Sequence, residues 1–224
     1  KQTFFFYFLG LTNLMFNWGH HTYIVPASPW IRNIAYAISM TELLILANII
    51  RQWRSTLDDA KKNFHLISYR FLIAADFWIL LNLILAIAIS VPAINLFTHG
   101  THITVAHAMG TTIGINTMIL FASVTYLLSK LSFVNFMRTK IWIDRGFWLS
   151  NIGLALFWIL LLVVGVMKAV SEDNVAHSIL IGKMMPFFQA ISVFGLIILV
   201  GFSFLIFPLA KLCIRNLIDS KTEI

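Results

Sequence analysis

Two adjacent histidines are the first residues in this chain whose types and spacing could do chemistry. His20 and His21 close a long apolar run in the stretch FNWGHHTYIVPASPW. Neutral imidazole is a common ligand for iron, copper and zinc. Adjacent side chains on a regular helix point about 100° apart, so the pair can share a metal only where the helix end is distorted. Gly19 and the prolines that follow permit this distortion. The alternative is a pair of interfacial histidines that contact headgroups and water.

A glutamate inside another apolar run is a second candidate. Glu42 lies in the middle of AISMTELLILANI. Ionisable side chains are costly within a bilayer, and most of them serve a purpose there. Glu42 is therefore a candidate proton carrier or a partner of a metal ligand. The alternative is a protonated carboxyl group that forms a hydrogen bond with a neighbouring helix.

A third histidine lies among small residues in VAHAMGTTIGINTMILF. Ala106, Ala108 and Gly110 surround His107, and small residues allow either a flat cofactor or another helix to approach the backbone. Met109 follows two positions later, about 200° further round a helix. If both side chains bind metal, they therefore belong to two different cofactors. A methionine in an apolar helix is otherwise a packing residue.

Composition indicates the elements that position these residues. Of 224 residues, 59% are hydrophobic and 11% are charged, whereas a soluble domain carries about 25% charged residues. Six apolar segments are each long enough, or nearly so, to cross a bilayer as a helix of about 20 residues, and none shows the alternation of a barrel strand. We expect one all-α, integral membrane domain over residues 1–224. The six segments are 3–19, 28–50, 67–91, 103–129, 147–168 and 185–210.

The basic residues predict the orientation. We call the face of the membrane that holds Lys1 side A and the opposite face side B. The predicted helices place thirteen of the 16 lysines and arginines on side A and only Arg32, Lys168 and Lys183 on side B. Side A is therefore expected to be cytoplasmic, which explains the net charge of +7 without nucleic acid. The paired histidines, His107 and the histidines just before it all fall towards side B.

Taken together, these motifs resemble a family. GHHTYIVPASPW, followed by PAINLFTHGTHITVAHAMGTTIG, is similar to the haem–copper oxidase superfamily, and in detail to the large catalytic subunit of nitric oxide reductases. The resemblance implies that the chain is the C-terminal half of that subunit, helices seven to twelve of a twelve-helix bundle. A complete site needs ligands from helices one to six, so the N-terminal half would be either a separate partner chain or a part of the subunit outside this sequence.

The resemblance also implies residue roles. His20 and His21 would bind a non-haem iron, and His107 would be the axial ligand of the high-spin haem b3 that faces it. Glu42 would lie near the non-haem iron and aid proton delivery or ligation. Two NO molecules would be reduced there to N2O and water, with electrons from a low-spin haem b. Calcium is a further candidate cofactor, and the setting would be denitrification in a bacterial inner membrane, with the metal site towards the periplasm.

One departure from the family pattern concerns the low-spin haem. The family has a second histidine two positions after the first, whereas this chain has Met109. Thioether sulfur is a known haem ligand and raises the reduction potential. We therefore expect Met109 to be the axial ligand of the low-spin haem, with His102 as the second choice.

Two other functions stay open at this stage. An oxygen reductase of the same superfamily needs a tyrosine near its metal-binding histidines. In one group of these enzymes it precedes the His pair by up to two turns, and here residues 13–19 contain none. The other alternative is a non-redox membrane protein that retains the fold. The electron donor, whether a cytochrome c-type subunit or another partner, is not indicated.

Overall fold

The structure, a computed structural model, describes residues 2–16, 19, 23–26, 28–64, 66–171 and 176–222. These residues form helices joined by short turns, and none of them lies in a β-strand. The helices in chain order are α1 (Gln2–Phe16), α2 (Pro29–Met40), α3 (Glu42–Asn63), α4 (Ile67–Ser90), α5 (Pro92–Thr98), α6 (His102–Met109), a π-helix (Gly110–Thr117), α7 (Met118–Leu131), α8 (Phe133–Ser171) and α9 (His177–Thr222).

The described residues of all six apolar segments are largely helical, so the predicted all-α membrane fold is confirmed. Within the described residues, five helical runs are long and apolar enough to cross a membrane, and a shorter apolar helix covers Phe4–Asn13 in α1. Side chains such as Leu96, Phe207 and Leu217 are exposed because lipid replaces water around such a bundle. The chain is a multi-pass membrane protein.

The fourth segment differs from the regular helix that its hydropathy predicts. It runs from His102 to Leu131, but Gly110–Thr117 has the wider π-helical hydrogen-bond pattern. Thr117 follows the same register, because its hydroxyl donates to the carbonyl oxygen of Thr112, five residues earlier, at 2.9 Å. π-Helical turns occur often at functional sites, and this one begins three residues after His107.

Helix α4 packs closely against the π-helix because two glycines leave room for it. A Cβ atom on Gly110 would lie 2.6 Å from Oδ1 of Asn82, and one on Gly114 would overlap the ring of Trp78. The approach of another helix is one of the two explanations that the sequence left open for the small residues here. Further towards side A, the ring of Phe71 packs on the rings of Phe121 and Phe147, with centroid distances of 5.5 and 5.0 Å.

The two long helices α8 and α9 form an antiparallel pair. Gly146 and Ser150 of α8 meet Gly201 and Leu205 of α9 so closely that a Cβ on Gly201 would lie 2.7 Å from the backbone nitrogen of Ser150. Small residues at such crossings allow backbones to approach, which is how helices associate in lipid. Asp144 of α8 also binds Arg70 of α4 at 2.9 Å, which links this pair to the rest of the bundle.

Replacing Gly201 by alanine tests this crossing. The new methyl group would press on the backbone of α8, and overpacking of this kind costs about 1–3 kcal/mol. Gly182→Ala is the matched control, because the same helix has open space around Gly182. We expect Gly201→Ala to lower the unfolding temperature in detergent, measured by circular dichroism, relative to Gly182→Ala. Equal stability of the two variants would contradict this packing.

Candidate functional site

The stretch that carries most of the family resemblance forms a tight turn between α4 and α6. Asn95 is 2% exposed, and its side-chain nitrogen donates to the carbonyl oxygen of Ile89 at 2.8 Å. Gly100 has a φ of +74°, a conformation that glycine adopts at little cost. The hydroxyl of Thr101 donates to the carbonyl oxygen of Thr98 at 2.7 Å and accepts from the backbone nitrogen of Ile103 at 3.2 Å. Thr101 therefore caps α6.

Contacts with α8 hold the start of α6 in place. Gly165 of α8 packs against Ile103 so tightly that a Cβ on Gly165 would lie 2.6 Å from the backbone nitrogen of Ile103. The ammonium group of Lys168 donates to the carbonyl oxygen of Gly100 at 3.2 Å. The turn and these two contacts fix where α6 begins, and therefore which way its later residues face.

His107 and Glu42 line the same cavity, although they are 65 positions apart in the sequence. The cavity measures about 300 Å³. Its walls come from α1, α3, α4 and the run from α6 into the π-helix. The polar residues in its lining are Asn13, Glu42, Asn82, His107 and Thr111. An imidazole, a carboxyl group, two amides and a hydroxyl thus meet inside an apolar bundle.

A local break in the second membrane-crossing run positions Glu42. Helix α2 ends at Met40, Thr41 interrupts the regular hydrogen bonding, and Glu42 begins α3. The hydroxyl of Thr41 donates to the carbonyl oxygen of Ile38 at 2.7 Å, and Asn13 of α1 donates to Thr41 at 3.2 Å. Glu42 is 4% exposed. Its carboxyl group is therefore held in a buried position by a junction of three helices.

A hydrogen-bond chain positions the segment that carries His107. The amide nitrogen of Asn82 donates to the hydroxyl oxygen of Thr111 at 2.5 Å, and that hydroxyl donates to the carbonyl oxygen of His107 at 3.2 Å. Asn82 is buried, and its side-chain oxygen has no hydrogen-bond partner among the described residues. Asn82 thus has two roles: its amide nitrogen stabilises the π-helix through Thr111, and its side chain lines the cavity.

The remaining histidines of the described residues lie elsewhere. His102, Lys168 and His177 line a smaller cavity of about 180 Å³ between α6, α8 and α9. The ring of His102 lies 5.3 Å from that of Phe188. His102 and His107 therefore face different cavities. Met109 is half-buried and is absent from the described lining of the cavity that holds His107, as expected from its position about 200° further round the helix.

The predicted metal-binding pair, His20 and His21, lies outside the described residues, as does His65. Gly19, directly before the pair, is buried, and a Cβ on it would lie 2.8 Å from Cβ of Ala35 in α2. Within the described part of the chain, no three His, Cys, Asp or Glu side chains form a group that could hold a metal ion.

Sequence reasoning missed three polar residues of this cavity, namely Asn13, Asn82 and Thr111. Asn82 carries a signal that could have found it, because it is an amide within the apolar run FWILLNLILAIAI of α4, and polar side chains inside membrane helices bind across helix interfaces. Thr111 has no such signal, because threonine is common in apolar helices as a residue that bonds to its own backbone.

Paired threonine variants test the role of Asn82. Thr111→Val removes the acceptor of the Asn82 amide, and a buried donor without a partner costs about 1–3 kcal/mol. Thr112→Val is the matched control, because Thr112 also donates to a carbonyl four residues earlier but is exposed. We expect only Thr111→Val to lower the unfolding temperature of the purified protein. A similar loss in both variants would contradict the proposed support of the His107 segment.

Comparison with known proteins identifies the family. Residues 2–202 match the family described as cytochrome C and quinol oxidase polypeptide I, a range that includes Glu42, His107 and Met109. No curated protein matches the chain. Proteins of this family are haem-binding membrane oxidoreductases of the haem–copper oxidase superfamily that work with other subunits. The chain belongs to the cytochrome c and quinol oxidase polypeptide I family.

Proposed function

We propose that this chain is part of a membrane nitric oxide reductase, which reduces two NO molecules with two electrons and two protons to N2O and water. The observation that carries the proposal is the shared cavity of Glu42 and His107. A carboxyl group that can hold a proton lies in the same space as an imidazole that can hold a haem. The resemblance of THGT and of the Glu42 position to nitric oxide reductases supports the same choice.

The residues present fit an axial haem ligand at His107. Its imidazole lines a cavity of about 300 Å³, which is at the lower end of the roughly 300–1,000 Å³ typical of small-molecule sites. The next residue, Ala108, is exposed, so the described residues do not enclose this part of the helix. A complete haem site therefore needs further walls, which we propose come from the N-terminal half of the subunit. His107 would hold the high-spin haem b3, which would supply redox-active iron for NO reduction.

Glu42 is proposed to supply protons to the reaction. In the balanced reaction an N–N bond forms, one N–O bond breaks, and the released oxygen leaves as water after it has taken up two protons. A buried carboxyl group is a suitable donor, because it can hold a proton within hydrogen-bond reach of the reacting atoms. Asn13 and Thr41 keep the glutamate at the cavity wall while it gains and loses its proton.

The other cofactors and partners belong to the same proposal. His20 and His21 are proposed to bind the non-haem iron, and Met109 to bind the low-spin haem b, with His102 as the alternative ligand. Calcium remains a further candidate. A cytochrome c-type subunit or another donor supplies the electrons. We propose a bacterial inner membrane, with side A facing the cytoplasm and the metal site towards the periplasm.

An oxygen reductase is the second candidate, and the description of the matched family favours it, since that description names cytochrome c and quinol oxidases. Oxygen reductases need a tyrosine near their metal site. Among the described residues that line the cavity with Glu42 and His107 there is no tyrosine. Tyr23, which follows the histidine pair, is buried and is absent from the described lining of that cavity.

Replacing His107 by alanine tests the haem assignment. We expect His107→Ala to abolish the high-spin haem signal in the absorption and EPR spectra, because the axial ligand is lost, while the helical content by circular dichroism is unchanged. His177→Ala is the control, since His177 is an exposed histidine of α9. A full high-spin signal in His107→Ala would overturn the assignment.

Variants of Glu42 test the reaction. General acid–base catalysis contributes about 10²–10⁴-fold, so we expect Glu42→Gln to lower N2O formation from NO by about a hundredfold or more, with partial recovery in Glu42→Asp. Asp76→Asn is the control, because Asp76 is a carboxyl group of α4 outside the described cavity lining. The assays are N2O by gas chromatography and O2 consumption by electrode.

The wild-type complex distinguishes the two candidate functions in the same assays. N2O formation that far exceeds O2 reduction supports the nitric oxide reductase. Rapid O2 reduction without N2O formation would instead assign the chain to the oxygen reductases. Unchanged NO turnover in Glu42→Gln would remove the glutamate from the mechanism.

A further inference from the structure

A basic cavity lies between the side-A ends of α8 and α9, and it shares no lining residue with the Glu42–His107 cavity. It measures about 300 Å³, and its lining includes Arg138, Lys211 and Arg215 together with the polar Asn135 and the aromatic Trp142. Arg138 and Trp142 belong to α8, whereas Lys211 and Arg215 belong to α9. Two helices thus direct three cationic residues to one space.

No acidic residue is among the described residues that line this basic cavity. The nearby Asp144 of α8 is engaged by two other cations, Arg70 at 2.9 Å and Lys140 at 2.6 Å. Arg138 and Lys211 therefore bring two cationic groups to a lining without a described acid. Guanidinium groups have a planar fork of donors that matches a phosphate, and an ammonium group adds a further point charge. The chemistry of the lining selects a phosphate group.

The cavity lies at the level where the membrane-spanning parts of the two helices end. Trp142 contacts Phe204, with ring centroids 5.5 Å apart, and Gly146 packs on Leu205. This antiparallel register sets Arg138 level with Lys211, directly after the apolar segment 185–210. The guanidinium group of Arg145 lies 5.5 Å from the centre of the Trp142 ring. A tryptophan with nearby arginines is typical of the membrane interface.

A largely apolar groove lies next to the basic cavity, on the side of the membrane-spanning parts of α8 and α9. It lies between the same two helices and has a volume of about 590 Å³. Its lining is mostly apolar, with Trp148, Ile152 and Phe194 among its residues, and also includes Asp144 and Arg145, which are paired with other residues. Phe204 lines this groove, and its ring contacts Trp142 of the basic cavity. The surface between α8 and α9 thus combines a cationic cavity with an apolar groove. An amphipathic molecule with an anionic headgroup and an apolar chain fits this combination.

We propose that the cavity of Arg138, Lys211 and Arg215 binds the phosphate headgroup of an anionic phospholipid, with an acyl chain in the adjoining groove between α8 and α9. Basic cavities between transmembrane helices bind such headgroups. A soluble phosphate would not need the groove, and an acidic protein segment would not match its depth and apolar lining. The bound lipid links the ends of α8 and α9, and the site is independent of the proposed redox activity.

The test is lipid binding to the purified, delipidated complex, measured by native mass spectrometry and by the shift in unfolding temperature. Phosphatidylglycerol and phosphatidylcholine are compared at equal concentrations, and inorganic phosphate is added as a competitor. For the wild-type complex we expect phosphatidylglycerol to bind and to raise the unfolding temperature. Phosphatidylcholine should have little effect, and millimolar phosphate should not displace the lipid.

Charge variants locate the site. Each basic side chain near a membrane surface contributes roughly fivefold to the binding of an anionic lipid, so Arg138→Gln with Lys211→Gln should weaken phosphatidylglycerol binding by about 25-fold. The control is Lys61→Gln with Lys62→Gln, which removes the same charge from exposed residues of α3. Arg138→Lys should retain most of the binding.

Three results would overturn the proposal, and the first two need only the wild-type complex. Equal binding of the two lipids would show that the headgroup charge is not recognised. Displacement by inorganic phosphate would show a site for free phosphate. Equal weakening in the Arg138/Lys211 pair and in the Lys61/Lys62 pair would show that only the overall charge of side A matters.

Discussion

The close contact between α4 and the π-helix is the constraint on which the candidate site depends. Gly110 and Gly114 allow Asn82 and Trp78 to approach the backbone of the fourth membrane-crossing run. Asn82 then binds Thr111, which in turn binds the carbonyl group of His107. π-Helical turns are rare within α-helices and occur often at functional sites, and here the turn coincides with this close contact. The contact thus sets both the helix geometry and the direction of His107.

Glu42 and His107, the two ionisable residues of the site, are positioned by different structural features. His107 is fixed from one side by the turn of Gly100 and Thr101, which sets the start of α6, and from the other side by the π-helix. Glu42 is fixed by a break in a helix, where Thr41 and Asn13 form a polar junction. In each case an irregular segment of a helix brings an ionisable side chain to the cavity. The regular helices form the apolar bundle around it.

The sequence predicts the regular parts of this structure well, because long apolar runs have only one stable form in a bilayer. It also predicts that Glu42 and His107 share a site, through the motifs that resemble nitric oxide reductases. It does not predict the π-helix, since the run from Gly110 to Thr117 contains nothing that excludes a regular helix. Nor does it predict the Asn82–Thr111 bond, because this pairing depends on how two helices meet across 29 positions of sequence. The assignment of His20 and His21 remains a prediction.

We propose that the family site of this chain is built for NO rather than O2, and the metal beside the haem distinguishes the two reactions most directly. The measurement is metal analysis of the purified complex, combined with low-temperature EPR and near-infrared magnetic circular dichroism. We expect non-haem iron in addition to haem iron, no copper, and a methionine-to-haem charge-transfer band from Met109. Copper in place of the non-haem iron would contradict the nitric oxide reductase, and a complex without any haem would contradict a redox function altogether.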